Sequence, residues 1–185
     1  MGKTRKDRGE KMDAEAFAER LKELLKDKVT NFKISTTEHG KEKRKAYRVW
    51  ADVDTLYIKD IVKKLFELQE YPHFSVSSGY DAGADIEILL HFTLNYAKPH
   101  ALVVFTLRTR LPKNNPVIET ITDLIPGAEI SEKEKREFFG IDVKGLAPGN
   151  VFLDESLAGI YPWRKDEKGA QKIVKNLHES DKDGK

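Results

Sequence analysis

Residues 85–96 read Asp85-Ile-Glu-Ile-Leu-Leu-His-Phe-Thr-Leu-Asn-Tyr96, and this run decides the fold. Its apolar side chains (Ile86, Ile88, Leu89, Leu90, Phe92, Leu94) occupy both alternating registers. Successive strand residues point to opposite faces, so the pattern predicts a strand covered on both sides. Turn residues bound it: Asp81 to Ala84 before, Lys98-Pro99 after. Beyond them lie two more strand-like runs, His73 to Ser78 and His100 to Arg110. In the second, Leu102, Val104 and Thr106 alternate with Val103, Phe105 and Leu107. Short turns between strands make an antiparallel arrangement.

Upstream, Asp13 is placed to cap a helix carrying Phe17, Leu21, Leu24 and Leu25 at helical spacing. Residues 29–36 read as a strand, with Phe32, Ile34 and Thr36 alternating. His39-Gly40 begins a turn and Lys41 to Lys45 reads as a charged loop. Tyr47, Val49 and Ala51 alternate with Arg48, Trp50 and Asp52 in a second strand. Asp54 or Thr55 caps a second helix with Leu56, Ile61, Val62, Leu65 and Phe66, which Tyr71-Pro72 stops. Downstream, Asn115-Pro116 starts a short helix striped by Val117, Ile121, Leu124 and Ile125 and ended by Pro126-Gly127. Ser131 and Glu134 form a capping box for a last helix. Gly140 closes that helix. The order is α-β-β-α-β-β-β-α-α. It predicts an α+β fold, helices packed on a mostly antiparallel sheet, followed by a C-terminal helical segment and an irregular arm. The chain divides into a flexible basic N-terminus (1–12), an α+β domain (13–141), an extended partner-binding arm (142–166) and a polar tail (167–185).

The 185 residues suit one domain. Charged residues reach 35%, with 33 basic against 31 acidic. Balanced Lys/Glu enrichment is seen in hyperthermophile proteins, although solvated helices give the same statistic. With no cysteine, disulfides, iron–sulfur ligation and thiolate zinc sites are excluded. No segment approaches the ~20 apolar residues of a membrane span. Lys3, Arg5, Lys6, Arg8 and Lys11 precede no apolar run, so they form no secretory signal. They read as a frayed end, or as an arm for nucleic acid or anionic lipid. A soluble cytoplasmic protein is expected, reaching a membrane only through a partner.

No catalytic constellation assembles. His39, His73, His91, His100 and His178 contain no pair at helical metal-ligand spacing. Gly79 and Gly83 bracket Asp81 without the Lys-Ser/Thr of a phosphate loop, and Ser77-Ser78-Gly79 lacks nucleophile-elbow spacing. By residue type, Glu132, Glu134 and Glu137, alternating with Lys133, Lys135 and Arg136, read as a solvated helix face. A sheet can display aromatics to nucleic acid, but the pI of about 8.6 is mild and no RNA-recognition signature is present.

Residues 122–141 read Thr-Asp-Leu-Ile-Pro-Gly-Ala-Glu-Ile-Ser-Glu-Lys-Glu-Lys-Arg-Glu-Phe-Phe-Gly-Ile. This resembles the signature of the thirty-kilodalton subunit of complex I, the NADH–quinone oxidoreductase. There a Ser/Thr-x-Leu-aromatic-Pro-x-Ala run leads into Glu-Arg-Glu-x-x-Asp-apolar-Phe-Gly-Ile. Glu132, Glu134, Phe139, Gly140 and Ile141 match directly, and Lys133 and Glu137 stand where the family has Arg and Asp. Ile130-Ser131 replaces an aromatic pair. Tyr161-Pro162-Trp163-Arg164-Lys165-Asp166 is similar to the family's terminal Pro-Leu-Arg-Lys-Asp box. Between the boxes, Pro148 to Leu153 stands where the family has consecutive arginines.

The resemblance implies a non-catalytic scaffold subunit without cofactor or metal, belonging to a membrane-associated redox-driven ion-pumping complex. It would dock a nickel–iron-type or quinone-site large subunit and a small iron–sulfur subunit, peripherally, on the cytoplasmic side of the membrane. An archaeal membrane-bound hydrogenase or sulfane reductase is the favoured setting, a lean taken from composition. The alternative is a quinone-reducing NADH dehydrogenase-type complex, and a distant one is a single-stranded nucleic-acid-binding module. The expected partner-interface residues are Glu132, Glu134, Phe138, Phe139, Gly140, Ile141, Pro162, Trp163, Arg164, Lys165 and Asp166. Of the phenylalanines, one is expected in the core and the other at the interface. Arg164 suits a bidentate carboxylate contact, in a box beyond the last predicted regular element.

Overall fold

The computed structural model describes residues 13–97 and 100–168. The basic stretch at 1–12, the Lys98-Pro99 turn and the tail from 169 to 185 lie outside them. Helix α1 (Ala14–Leu25) precedes strands β1 (Val29–His39) and β2 (Arg44–Val53), then helix α2 (Ile58–Leu68). Strands β3 (His73–Asp81), β4 (Asp85–Leu94) and β5 (Val103–Pro112) follow. A short strand β6 (Val117–Glu119), helix α3 (Glu129–Phe139) and strand β7 (Asp142–Lys144) complete the regular part.

The main sheet has the order β1-β2-β5-β4-β3, antiparallel except for the parallel pair β2–β5. Its register puts Tyr47, Val49, Ala51 and Val53, Ile86, Ile88, Leu90, Phe92 and Leu94, and Val103, Phe105, Leu107 and Leu111 on one buried face. Against it pack Phe17, Ala18, Leu21 and Leu25 of α1 and Ile58, Ile61, Val62 and Leu65 of α2. Phe92 and Phe105 stack at 6.2 Å. Each fully buried Leu, Ile or Phe contributes about 1.5–3 kcal/mol, so this layer dominates stability. Asp13 caps α1 as expected, its carboxylate accepting from Ala16 N at 2.8 Å.

The other face of β4 corrects the expectation of a doubly covered strand. It carries Glu87, Leu89, His91 and Thr93, so Leu89 alone breaks the alternation. All described helices lie on the opposite side. This face is closed by a charged lattice instead. Arg108 donates to Asp52 from Nε (2.8 Å) and Nη2 (2.6 Å) and lies over the Trp50 ring at 5.4 Å. Arg110 Nε donates to Glu87 at 2.7 Å, and Tyr80 donates to the same carboxylate. Burial pushes Asp52 up, but Arg108, Asn31 and Trp50 outweigh it and hold the carboxyl at about 2.

Four further readings change. The charged run at 41–45 is a tight turn flowing into β2, so β1 and β2 form one long hairpin. Leu56 sits on a 3-10 turn capped by Asp54 and is 81% exposed, and Phe66 is also exposed. No helix forms at 115–125: Val117–Glu119 is β6, pairing parallel with β7. β-branched Val117 and Ile118 suit that pairing. Finally, α3 starts at Glu129, off a 3-10 turn at Pro126–Ala128, with no side-chain cap. Ser131 is not an N-cap; its hydroxyl accepts from Ser77 N at 2.9 Å and ties α3 to β3. Gly140 ends α3 at φ +67, as expected.

Candidate docking face of α3 and the C-terminal strap

A helix leaves its last carbonyls without intrahelical partners. In α3 the C-terminal strap supplies them. Trp163 N donates to Phe138 O at 3.1 Å and Arg164 Nε to Phe139 O at 2.6 Å. The guanidinium thus meets the negative end of the helix dipole, 4.7 Å over the Tyr161 ring. Tyr161 also explains Gly140: a Cβ there would lie 2.5–2.7 Å from the ring, besides the left-handed backbone. Next along, Lys165 N donates to Asp81 Oδ2 at 2.8 Å. Asp81 is 2% exposed and also accepts from Lys113 Nζ (2.6 Å) and Gly83 N (2.8 Å). Burial raises this carboxyl, but the lysine and the two N–H donors hold it at about 2. Lys113 bridges on to Asp166 at 2.6 Å. The box expected beyond the domain is therefore stitched to it, and Arg164 has an intramolecular partner.

Two adjacent residues of α3 shape the loop before the strap. Glu137, 6% exposed, accepts the N–H groups of Val151 (2.8 Å), Phe152 (2.8 Å) and Leu153 (2.7 Å). Burial raises its pKa, and these three donors outweigh it, leaving the carboxyl below its ordinary value. Arg136 does the converse, donating to Ala147 O at 3.1 Å and to Gly149 O. The loop so held turns Val151 and Phe152 outward, at 50% and 43% exposure. Phe152 meets Phe138 at 5.4 Å, Phe138 meets Trp163 at 4.5 Å, and Trp163 reaches Phe139 at 5.3 Å. Lys135 Nζ lies 5.5 Å from the Trp163 ring and pairs with Glu134.

Glu132 has a different task. Its carboxylate accepts from Ile121 N at 2.8 Å and from the Thr120 hydroxyl, bracing α3 against the segment after β6. Burial pushes this carboxyl above its ordinary value, which these hydrogen bonds offset only in part.

Phe139 and Ile141 enter the core, while Phe138 is half-buried and Trp163 exposed. Glu134 and Pro162 are partly exposed beside them, and Lys165 and Asp166 are exposed. The solvated-face reading of 132–137 fails at Lys135 and Glu137, both buried. Three features were missed from the sequence: the Glu137 cradle, the Val151-Phe152 tip and the Asp81 anchor. Asp81 lying between Gly79 and Gly83 was the one available signal. Among the described residues no cluster could hold a metal ion, and no helix is long and apolar enough to cross a membrane.

Residues 51–172 match the family described as the respiratory-chain NADH dehydrogenase, 30 Kd subunit. The chain is 33% identical over 167 residues to the membrane-bound hydrogenase subunit beta of Pyrococcus furiosus, spanning 88% of this chain and 91% of that protein. It is 29% identical over 172 residues to a subunit of the F(420)H(2) dehydrogenase of Methanosarcina mazei, spanning 90% and 99%. Among solved structures, a chain of the membrane-bound sulfane sulfur reductase, an archaeal respiratory membrane complex, superposes with TM-score 0.62 at 21% identity, covering 90% of this chain and 97% of that one. A trypsin-resistant fragment of Nqo5 superposes with TM-score 0.50 at 20% identity, covering 72% and 99%. At these identities the structures speak to fold alone, and the fold they share is this α+β arrangement.

Proposed function

Because the chain belongs to the respiratory-chain NADH dehydrogenase 30 Kd subunit family, we propose that it is a non-catalytic scaffold subunit of a membrane-associated redox complex, docking its partners through α3 and the strap. The carrying observation is the aromatic face of Phe138, Phe152 and Trp163 with Val151 at its tip, exposed yet held rigid by Glu137 and Arg136. Exposed apolar surface of this kind is a mark of interaction sites, tryptophan is enriched at binding hot spots, and preorganisation lowers the entropy lost on association. In this reading the partners are the nickel–iron-type large subunit and the small iron–sulfur subunit, in an archaeal membrane-bound hydrogenase or sulfane reductase. The chain sits peripherally on the cytoplasmic side and meets the membrane only through the complex. The equivalent position in a quinone-reducing complex of the NADH dehydrogenase type is the alternative.

Of the motif residues, Glu134, Phe138, Pro162, Trp163, Lys165 and Asp166 are the ones exposed enough to meet a partner directly. Glu132, Phe139, Gly140, Ile141 and Arg164 support that face from within. Purification from the native source tests the reading. A complex containing both partner subunits is expected, with the isolated chain carrying no metal or flavin. Phe152→Asp should abolish recovery of the large subunit while leaving the melting temperature of the free chain within a few degrees. A chain found only as a monomer, or a Phe152→Asp variant that assembles normally, would sink it.

A further inference from the structure

The strap packs at the β3 edge of the sheet, and the opposite edge carries a second surface of another character. There β1 is outermost and pairs with β2 as far as His39↔Arg44. Apolar cross-strand contact ends at Ile34↔Val49, beyond which residues 35–43 are all exposed. The hairpin thus overhangs the helical layer. Between positions 33 and 48 lie six basic residues (Lys33, Lys41, Lys43, Arg44, Lys45, Arg48) and two acidic ones (Glu38, Glu42). That is a surplus of four in a chain whose formal net charge is +2, so the remainder is net acidic. Packing does not require this separation of charge, since Lys33, Lys41, Lys43, Lys45 and Arg48 are all exposed. Lys43 moreover takes φ +47, a left-handed position that turns usually give to Gly, Asn or Asp.

We propose that the β1–β2 hairpin is a second docking surface, built for an acidic protein surface on a neighbouring subunit. This rests on the reading of the chain as a complex subunit. The chain then bridges: an aromatic contact at one sheet edge and an electrostatic one at the other, four strand spacings or ~19 Å apart. A protein is favoured over a lipid surface for two reasons. Residues 35–46 present no aliphatic or aromatic anchor beyond Ala46, and membrane-surface elements use such anchors. Glu38, opposite Lys45, and Glu42 also interrupt the basic run, which weakens attraction to a uniformly anionic sheet of headgroups but suits a partner with a fixed charge pattern.

Lysine footprinting with an acetylating reagent, on the native complex and on the isolated chain, tests this. Lys41, Lys43 and Lys45 should be strongly protected in the complex, and a zero-length carbodiimide should join at least one of them to an Asp or Glu of another subunit. The variant Lys41→Glu/Lys43→Glu should keep the free chain's melting temperature while slowing assembly about tenfold at low salt and less at high salt. Equal reactivity in chain and complex overturns the proposal and leaves these lysines as guards of an edge strand. Protection by phosphatidylglycerol vesicles but not by partner subunits overturns it in favour of a lipid headgroup. Recovery of the chain alone would remove the scaffold reading and this one together, whereas reactive hairpin lysines inside an intact complex would remove only this one.

Discussion

The sheet-and-helix layer and the C-terminal strap are held by opposite means. In the layer, apolar side chains from β2, β4 and β5 meet α1 and α2, and backbone groups satisfy one another within strands and helices. From 145 to 168 regular structure shrinks to one 3-10 turn at Glu155–Leu157, and side chains of the domain satisfy the backbone instead. Glu137 takes three N–H groups, Arg136 two carbonyls, and Asp81 the Lys165 N–H. A layer held by area tolerates small changes in any one contact. A strap held by a few charged atoms hangs on each of them.

The largest expected effect lies in the layer. Phe105, fully buried, should on replacement by alanine cost about 3–5 kcal/mol in urea unfolding, with strap and sheet lost together. Gly140→Ala comes next, about 2 kcal/mol, from the left-handed backbone and the Tyr161 ring. In a Tyr161→Ala background the cost should fall toward the ~1 kcal/mol of the backbone alone; an undiminished cost would show that the ring does not press on Gly140. Glu137→Ala should cost about 1–2 kcal/mol and act locally. Amide exchange at Val151, Phe152 and Leu153 should become fast while β4 and β5 stay protected. Uniform loss of protection would erase the distinction between the two regions.

The smallest effect separates two carboxylates of one helix, Glu132 and Glu137. Asp81 is held at about 2 and Glu137 below its ordinary 4.5, so the unfolded chain takes up protons first. Their stabilisation is complete above the ordinary carboxylate range and fades as pH falls through the folded values. Glu132 is raised, so its contribution is complete below 4.5 and fades as pH rises through its folded value. At neutral pH Glu132→Gln should therefore be neutral or stabilising by ~0–1 kcal/mol. Thermal melts of Glu132→Gln and Glu137→Gln at pH 7 check the sign, and a large loss for Glu132→Gln would contradict it.

What the sequence disclosed follows the same division. The cap at Asp13, the alternation in β2 and β5 and the Gly140 stop are local or periodic signals, and each appears in place. The segment 115–125 misled because Pro116 and the spacing of Ile121, Leu124 and Ile125 favour a helix locally. Pairing with residues 142–144, distant in sequence, decides otherwise. Ser131 and Glu134 fit a capping box, yet Ser131 is taken by Ser77 across the fold. The family motif pointed to the candidate face, but the hydrogen bonds that shape it join a carboxylate to backbone N–H groups. Such contacts leave no period in the sequence. For that reason Glu137 was invisible as an organiser and Asp81 was marked only by the glycines beside it, while Trp163 stood out.

The one parallel joint of the five-stranded sheet, β2 to β5, has a kinetic consequence. It fuses two antiparallel units, β1–β2 and β3–β4–β5, that are separately complete in sequence. β5 begins roughly fifty residues after β2 ends. At ~5–20 residues per second, a ribosome releases β5 ~3–10 s after β2. Throughout that interval the inner edge of β2 is an open strand edge in the nascent chain, able to pair with whatever it meets. Arrival of β5 closes that edge, so the inner edge of β2 is covered only once the chain has been made as far as residue 112.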